Sequence, residues 1–504
     1  MPKSKLWSGL DTTSVNAVEV TKREVSVDRT NNIVRLRFPI QRILARIRKI
    51  GSFITDEVEY DTHINWRVSP ILQWAKLYYP LNGYYNSVYL CGHSIAKTPD
   101  NGIVVADPAM EPAHVTGIVV KLNGKGDPLW AKKVSNTTWL YWNTMPRVAV
   151  DSNGNIFFAY LDYDISPNYG ILLMKFDPDG NLLFSKHIYY DYGPIYPVGM
   201  SITAGDEVVL IGYYGTTDTN APINEHGSLV LKFDNDGNVL WSKTFVDSAF
   251  SKVCRCLGGG VTSSGDIIVC AAYHPGTTVM KIDPDGNLVS AYAFGNPNDL
   301  VALGYVAGTC IDPDGNLIVA TYGNPLNDFS VQWLYVLKAD PDGSIVWAKR
   351  YITENQAALY AYDVISLDDG SIVIPAPAEF DENGQWIYSA VLLKLDPNGN
   401  QVWAKRYNYG LVQMIGVDKY NDGFVLTGSA SSQVEEDTSV MIVARVDSTG
   451  HIPNSMLQPT DLVFSSEDVD VVYNTITLTE GQAVVNVTDF TPAITDVELQ
   501  VTAL

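Results

Sequence analysis

The chain is poor in charge, and poorest in basic residues. Of 504 residues 18% are charged, and 34 Lys and Arg stand against 56 Asp and Glu, a formal balance of −22. Non-specific binding of nucleic acid or of an anionic membrane needs a basic surface, so neither partner is expected. Cysteine is scarce. Cys91, Cys254, Cys256, Cys270 and Cys310 are odd in number and scattered, which suits neither a disulfide framework nor a zinc pattern, and Cys254-Arg-Cys256 lacks a second pair. No stretch reaches the about 18 consecutive apolar residues of a membrane span, and no N-terminal apolar core is present. Neither membrane insertion nor a secretory signal is expected. His63, His93, His114, His187, His226, His274 and His451 include no two at metal-ligand spacing on one element. His-Glu-x-x-His, Gly-x-Ser-x-Gly and phosphate-cradling glycine loops are missing. On these grounds no catalytic, cofactor-binding or metal residue is assigned, and the chain is expected not to be an enzyme.

What is present is a repeat. Leu393–Tyr407 reads Leu-Lys-Leu-Asp-Pro-Asn-Gly-Asn-Gln-Val-Trp-Ala-Lys-Arg-Tyr. Asp396-Pro-Asn-Gly399 has the residues of a type I turn closed by a left-handed glycine, between alternating apolar strands. Equivalent turns end at Gly126, Gly180, Gly237, Gly286, Gly343, Gly399 and Gly450, 49 to 57 residues apart. Most are followed by an aromatic, a small residue and lysine, as in Trp130-Ala-Lys132, Phe184-Ser-Lys186, Trp241-Ser-Lys243, Trp347-Ala-Lys349 and Trp403-Ala-Lys405; the fourth copy has Ser290-Ala-Tyr292. Each copy also carries an earlier turn, such as Asp151-Ser-Asn-Gly154 or Asp312-Pro-Asp-Gly315. A unit is therefore four strands and two hairpins, and seven such units predict an all-β, seven-bladed β-propeller.

The seventh unit lacks its Trp-Ala-Lys strand, and Leu72-Gln-Trp-Ala-Lys-Leu-Tyr78 supplies one near the other end of the chain. Residues 71–79 are thus expected to close the ring as the outermost strand of the seventh blade. Three regions follow: 1–70, 71–457 and 458–504. The first is read as a small α+β anchoring segment. Arg23–Asp28 and Ile33–Phe38 are its strands, and Ile40, Ile43, Leu44, Ile47 and Ile50 form the apolar stripe of a helix. Arg42, Arg46, Arg48 and Lys49 on that helix are candidate assembly contacts. The last region alternates like strands and is read as a small β segment, packed on residues 1–70 or paired with another chain.

Strand alternation puts the tight turns on one face and the long connections on the other. Loops on a rigid scaffold commonly carry binding. This loop face holds the candidate ligand residues Trp139, Trp142, Tyr163, Tyr190, Tyr192, Tyr196 and Trp386, among Asp162, Asp164, Asp191, Asp328 and Asp381. Rings supply contact area and carboxylates orient a ligand, a combination suited to sugars or protein partners. Each Asp-rich turn offers two or three oxygens where calcium wants 6–8, so the turns are read as structural. Gly258-Gly-Gly260 reads as a close-packed inner strand. Arg147, Asp363 and Asp418 fall on or near inner strands and are candidates to line the channel.

The Lys-x-Asp-x-x-Gly-x-x-x-Trp pattern resembles propeller repeats of bacterial and archaeal surface proteins and virus particles. It is also similar to quinoprotein-type repeats, whose Asp, Gly and Trp dock adjacent blades and whose enzymes use pyrroloquinoline quinone with calcium. This chain has no adjacent cysteines and seven copies rather than eight, so no cofactor is expected. Together these observations lead to the expectation of a non-enzymatic structural or adhesion protein of a virion or surface appendage, assembled in the cytoplasm or displayed outside the cell. Its termini would join other structural proteins or copies of itself, and its loop face would meet a host-surface glycan or protein. The alternatives are a glycan-acting propeller enzyme, hydrolase or lyase, and an intracellular interaction scaffold.

Overall fold

The computed structural model describes Lys3–Leu6, Val18–Thr21, Val25–Asp28, Ile33–Pro39 and Asp61–Arg67. From residue 73 on it describes the chain apart from 81–93, 112–113, 136–145, 163–169, 191–194, 216–225, 247–254, 274–275, 296–307, 324–332, 341–343, 354–357, 383–384, 409–411, 422, 432–438, 453–458, and short gaps among the last 35 residues. All regular elements among the described residues are strands. Two compact units emerge, residues 1–72 and 73–504. In the first, Val25–Asp28 pairs with Ile33–Pro39 as a hairpin, and Asp61–Arg67 adds a third antiparallel strand. The expected helix, with Arg42, Arg46, Arg48 and Lys49, lies outside the described residues.

The second unit is a seven-bladed β-propeller. Blade 2 shows the pattern: Arg147–Val150, Ile156–Asp162, Gly170–Phe176 and Leu182–Tyr189 run inner to outer as strands a to d. The hairpins follow from their sequences. In the second, Gly180 has φ +85° and donates to Asp177 O at 3.0 Å. Asp177 Oδ1 accepts from the N–H groups of Asp179 and Asn181 at 2.9 and 2.8 Å. Asp234, Asp283 and Asp396 repeat these bonds. In three inner hairpins the left-handed residue is Asn101, Asp206 or Asn421 instead of glycine. The ring closes as the repeat implied: Trp74–Pro80 pairs antiparallel with Ser439–Asp447 of blade 7.

Closure has a second layer. The C-terminal segment is no separate β region. It runs around the rim as a belt and adds a fifth, antiparallel strand to every blade. Pro459–Asp461 pairs on blade 6, Phe464–Asp468 on blade 5, Val472–Thr475 on blade 4 and Thr479–Gln482 on blade 3. Asn486–Asp489 follows on blade 2, Ala493–Asp496 on blade 1 and Leu499–Ala503 on blade 7. In blade 7 the closing strand is therefore fourth of five, clamped between Ser439–Asp447 and the end of the belt. The belt is itself a repeat. Asp461, Asp468, Thr475, Gln482, Asp489, Asp496 and Ala503 stand seven residues apart. They lie opposite Lys405, Lys349, Tyr292, Lys243, Lys186, Lys132 and Lys76 in turn. Seven extended residues reach about 25 Å, enough for one short strand and the step to the next blade.

Adjacent blades meet through apolar clusters and through the aromatic of each outer strand. A β-bulge precedes the aromatic position in blades 1 to 6, at Leu129, Leu183, Leu240, Val289, Val346 and Val402, and bulges re-aim the side chains beside them. The indoles of Trp130, Trp241 and Trp347 donate to the turn carbonyls of Pro178, Pro284 and Pro397 in the next blade, each at 3.0 Å. Tyr78, Tyr351 and Tyr407 donate to the carbonyls of Gly126, Gly399 and Gly450 at 2.8, 2.6 and 2.7 Å. Part of the aromatic surplus is thus structural. The strand c lysines explain the rest of the repeat. Lys121 pairs with Asp100 of its own blade at 2.9 Å and donates to Pro178 O of the next at 3.0 Å. Lys232 does the same with Glu207 and Pro284 O.

Candidate functional site

Two places gather chemistry. The first is the axis. Inner strands lie close there: a Cβ on Gly258 would meet Thr309 Oγ1 of the next blade at 2.4 Å, so glycine is what lets these strands approach. Asp363 of blade 6 accepts from Val417 N of blade 7 at 2.9 Å, and Asp418 accepts from Lys97 N of blade 1 at 2.7 Å. Each carboxylate thus pins one inner strand to the next. Arg147, half-buried on blade 2, donates through Nε to Val198 O of blade 3 at 2.8 Å. Burial pushes the Asp363 carboxyl up to about 7, against the opposing pull of the Val417 and Val364 amides and of Arg147. Burial also raises Asp418, and it raises the Cys310 thiol with help from the charge of Asp363. The axis is a packed, hydrogen-bonded seam of charges, and both oxygens of each carboxylate already accept backbone N–H groups.

The second place is the loop-face end of blades 5 and 6. Tyr322 and Tyr360 meet edge to face with centroids 5.2 Å apart, and Tyr360 stacks toward Tyr362 at 6.4 Å. Tyr360 donates its hydroxyl to Glu379 Oε1 at 3.3 Å. All four side chains are half-buried. Burial first, then the charge of Glu379, raises the Tyr360 hydroxyl above its usual range. It therefore stays protonated and acts as a donor. Close by, the Arg350 guanidinium lies 4.4 Å over the Trp333 ring. Three rings and a carboxylate held by a phenol converge on one rim of the loop face.

Three of the candidate ligand residues read from the sequence lie among the described residues. Tyr196 stacks on Tyr213 at 4.6 Å, half-buried on blade 3. Tyr190 is 9% exposed and meets Tyr214 edge to face at 5.0 Å. The backbone of Trp386 pairs with Asp381. Trp139, Trp142, Tyr163 and Tyr192 lie outside the described residues. The blade 5–6 cluster was missed because Tyr322 and Glu379 sit near strand ends, and Tyr360 and Tyr362 in the short stretch between Ala358–Leu359 and Ile365–Ser366, rather than in the long loops. The signal was the aromatic pair Tyr360-Ala-Tyr362, whose rings stack 6.4 Å apart.

No family model and no curated protein matches the chain. Solved structures do match in fold. A puromycin hydrolase is 15% identical over 75% of this chain, with a TM-score of 0.42, and the chain spans 54% of its length. The polysaccharide lyase Uly1 is 11% identical over 73% of this chain and 94% of its own, with a TM-score of 0.41. An α-L-arabinofuranosidase from Fusarium graminearum is 8% identical over 74% of this chain and 97% of its own, with a TM-score of 0.40. The expectation that the chain is not an enzyme is corrected at this point, because the structures it matches include a hydrolase, a lyase and a glycosidase.

Proposed function

We propose that the chain is a carbohydrate-engaging propeller that receives its ligand on the loop face at blades 5 and 6. The observation carrying this reading is the Tyr322–Tyr360–Tyr362 ring group joined to Glu379 by the Tyr360 hydroxyl. Sugar rings present apolar C–H faces and a rim of hydroxyls. Half-buried aromatic rings accept the faces, and the Glu379 carboxylate, held in place by the Tyr360 hydroxyl, accepts from the sugar hydroxyls. The test is an oligosaccharide panel read for binding and for chain cleavage, with wild type, Tyr322→Ala and Glu379→Gln. Binding that falls about tenfold or more in both variants, a loss of at least about 1.4 kcal/mol, with melting unchanged, supports the reading. Equal binding by all three contradicts it.

A second reading, favoured by the belt, is a displayed head on a virion or cell surface, joined through residues 1–70 to structural proteins or to copies of itself. Covering all seven outer edges removes the free strands that invite mispairing. The mass of the full chain in solution, beside that of residues 73–504, tests it. A defined oligomer only with the N-terminal unit is the expected result.

A further inference from the structure

Among the described residues, blade 6 alone has its inner strand broken in two. Ala358–Leu359 pairs with strand b at Glu379 and Ala378, and Ile365–Ser366 pairs at Val373 and Ile372. Between them Tyr360–Val364, five residues, stands against the four residues 374–377, so strand a carries one extra residue. Blades 3, 4 and 7 also carry one extra residue in strand a, at Val198, Leu257 and Ile415, yet their ladders pair up to both sides of it. An extra residue by itself does not open the strand. What sets blade 6 apart is Pro375 and Pro377 on strand b. Blade 3 has Ile211 and Tyr213 there, counted from the pair that closes the inner turn, Ser366 with Ile372 in blade 6 and Ile202 with Val208 in blade 3.

Tyr360 donates its N–H to Pro377 O at 3.0 Å, so the Pro377 backbone faces strand a. Pro375, two residues along, faces the same way. A ladder pair of this kind exchanges two bonds, and Pro377, without an N–H, cannot return the second. Pro375 withholds the next donor. On its other edge strand b pairs with strand c without a break from Ile372 to Glu382, so the prolines interrupt only the inner pairing. The released segment is held from several sides. Ala361 and Val364 are buried in the core shared by blades 5 and 6. Asp363 accepts from Val417 N at 2.9 Å, and a Cβ on Gly308 of blade 5 would lie 2.4 Å from Asp363 C. Tyr360 and Tyr362 are left half-buried, within the ring group.

We propose that Pro375 and Pro377 are positioning residues of the loop-face site: by withholding two ladder donors they keep Tyr360–Val364 out of the sheet and set Tyr360 and Tyr362 beside Tyr322. The ligand in this inference rests on the carbohydrate reading above; the placement of the rings rests on the ladder alone. The test compares the full-length wild type with the Pro375→Val/Pro377→Val double variant. With the donors restored, the segment is expected to zip onto strand b as in blades 3, 4 and 7, and amide exchange across residues 360–364 to slow about tenfold or more. The fluorine resonance of Tyr360 in protein labelled with meta-fluorotyrosine, assigned by its loss in Tyr360→Phe, is expected to shift. Oligosaccharide binding is expected to fall about tenfold or more. Pro377→Ala, which restores the donor to Tyr360 alone with a smaller side chain, serves should the double variant fail to fold. Unchanged exchange and an unshifted Tyr360 resonance in a folded variant overturn the proposal, as does slowed exchange with binding intact. A wild type that binds no oligosaccharide overturns the carbohydrate reading instead, and the exchange and fluorine measurements then decide the placement without a ligand.

Discussion

The outer strands of blades 5 and 6 spend three adjacent residues on the next turn and the belt. In Trp347-Ala-Lys349 the indole bonds the turn of blade 6, Ala348 O accepts the Val469 amide of the belt at 2.9 Å, and Lys349 pairs with Asp468 at 2.9 Å. Trp403-Ala-Lys405 repeats the belt contacts, with Leu462 donating to Ala404 O and Lys405 on Asp461. The small middle residue leaves room for the belt, which is why alanine or serine stands there. The tightest of these contacts gives a sharp prediction. Gly180 combines φ +85° with a Cβ that would lie 2.8 Å from Trp130, whereas Gly205 would meet only Thr203 Oγ1 at 3.7 Å. Gly180→Ala is expected to cost about 1–3 kcal/mol and Gly205→Ala close to nothing, read by chemical denaturation. A second prediction concerns His187, whose pKa burial lowers to about 4. The folded pKa lies below the unfolded one. The stability His187 contributes is therefore whole above about pH 6.5 and lost as pH falls toward 4. His187→Leu is expected to flatten the drop in melting temperature between pH 6.5 and 4; an unchanged drop would contradict this assignment.

At the scale of elements, the belt decides more than its size suggests. Each station is three to five residues long, too short to be stable alone, and its exposed ion pairs are individually weak. Its strength lies in apolar anchors and in repetition. Phe464, 7% exposed, is worth about 2–3 kcal/mol of burial. Removal of residues 459–504 is expected to lower the melting temperature and to leave seven outer edges able to pair with other molecules. Light scattering would show self-association; a monomer of unchanged melting point would contradict it. The repeat turns, the blade count and the closing strand were legible in the sequence because glycine, proline and aspartate mark turns by backbone chemistry. The belt was not, although Asp461, Asp468, Asp489 and Asp496 keep the seven-residue beat. A strand of three to five residues carries too few alternations to announce itself, and its partner strands lie far off in sequence, as Lys76 does from Ala503. The blade 5–6 site stayed hidden for a related reason: Tyr322, Tyr360 and Glu379 come from two blades and meet only once the ring is formed.

At the scale of the molecule, two fastenings share one blade. The strand near the start of the propeller closes the ring on blade 7, and the end of the belt then pairs over that strand. The ring sets the loop-face rim at blades 5 and 6, where the proposed ligand would be received. The central claim is the station-by-station register of the belt, and disulfide trapping tests it most directly. Lys186 stands opposite Asp489 on blade 2, and the next station along the belt is Asp496, opposite Lys132 on blade 1. In a background without the native cysteines, Lys186→Cys with Asp489→Cys is predicted to oxidise readily within one chain, and Lys186→Cys with Asp496→Cys is predicted not to. Equal cross-linking of both pairs, or cross-linking only between chains, would contradict the belted ring.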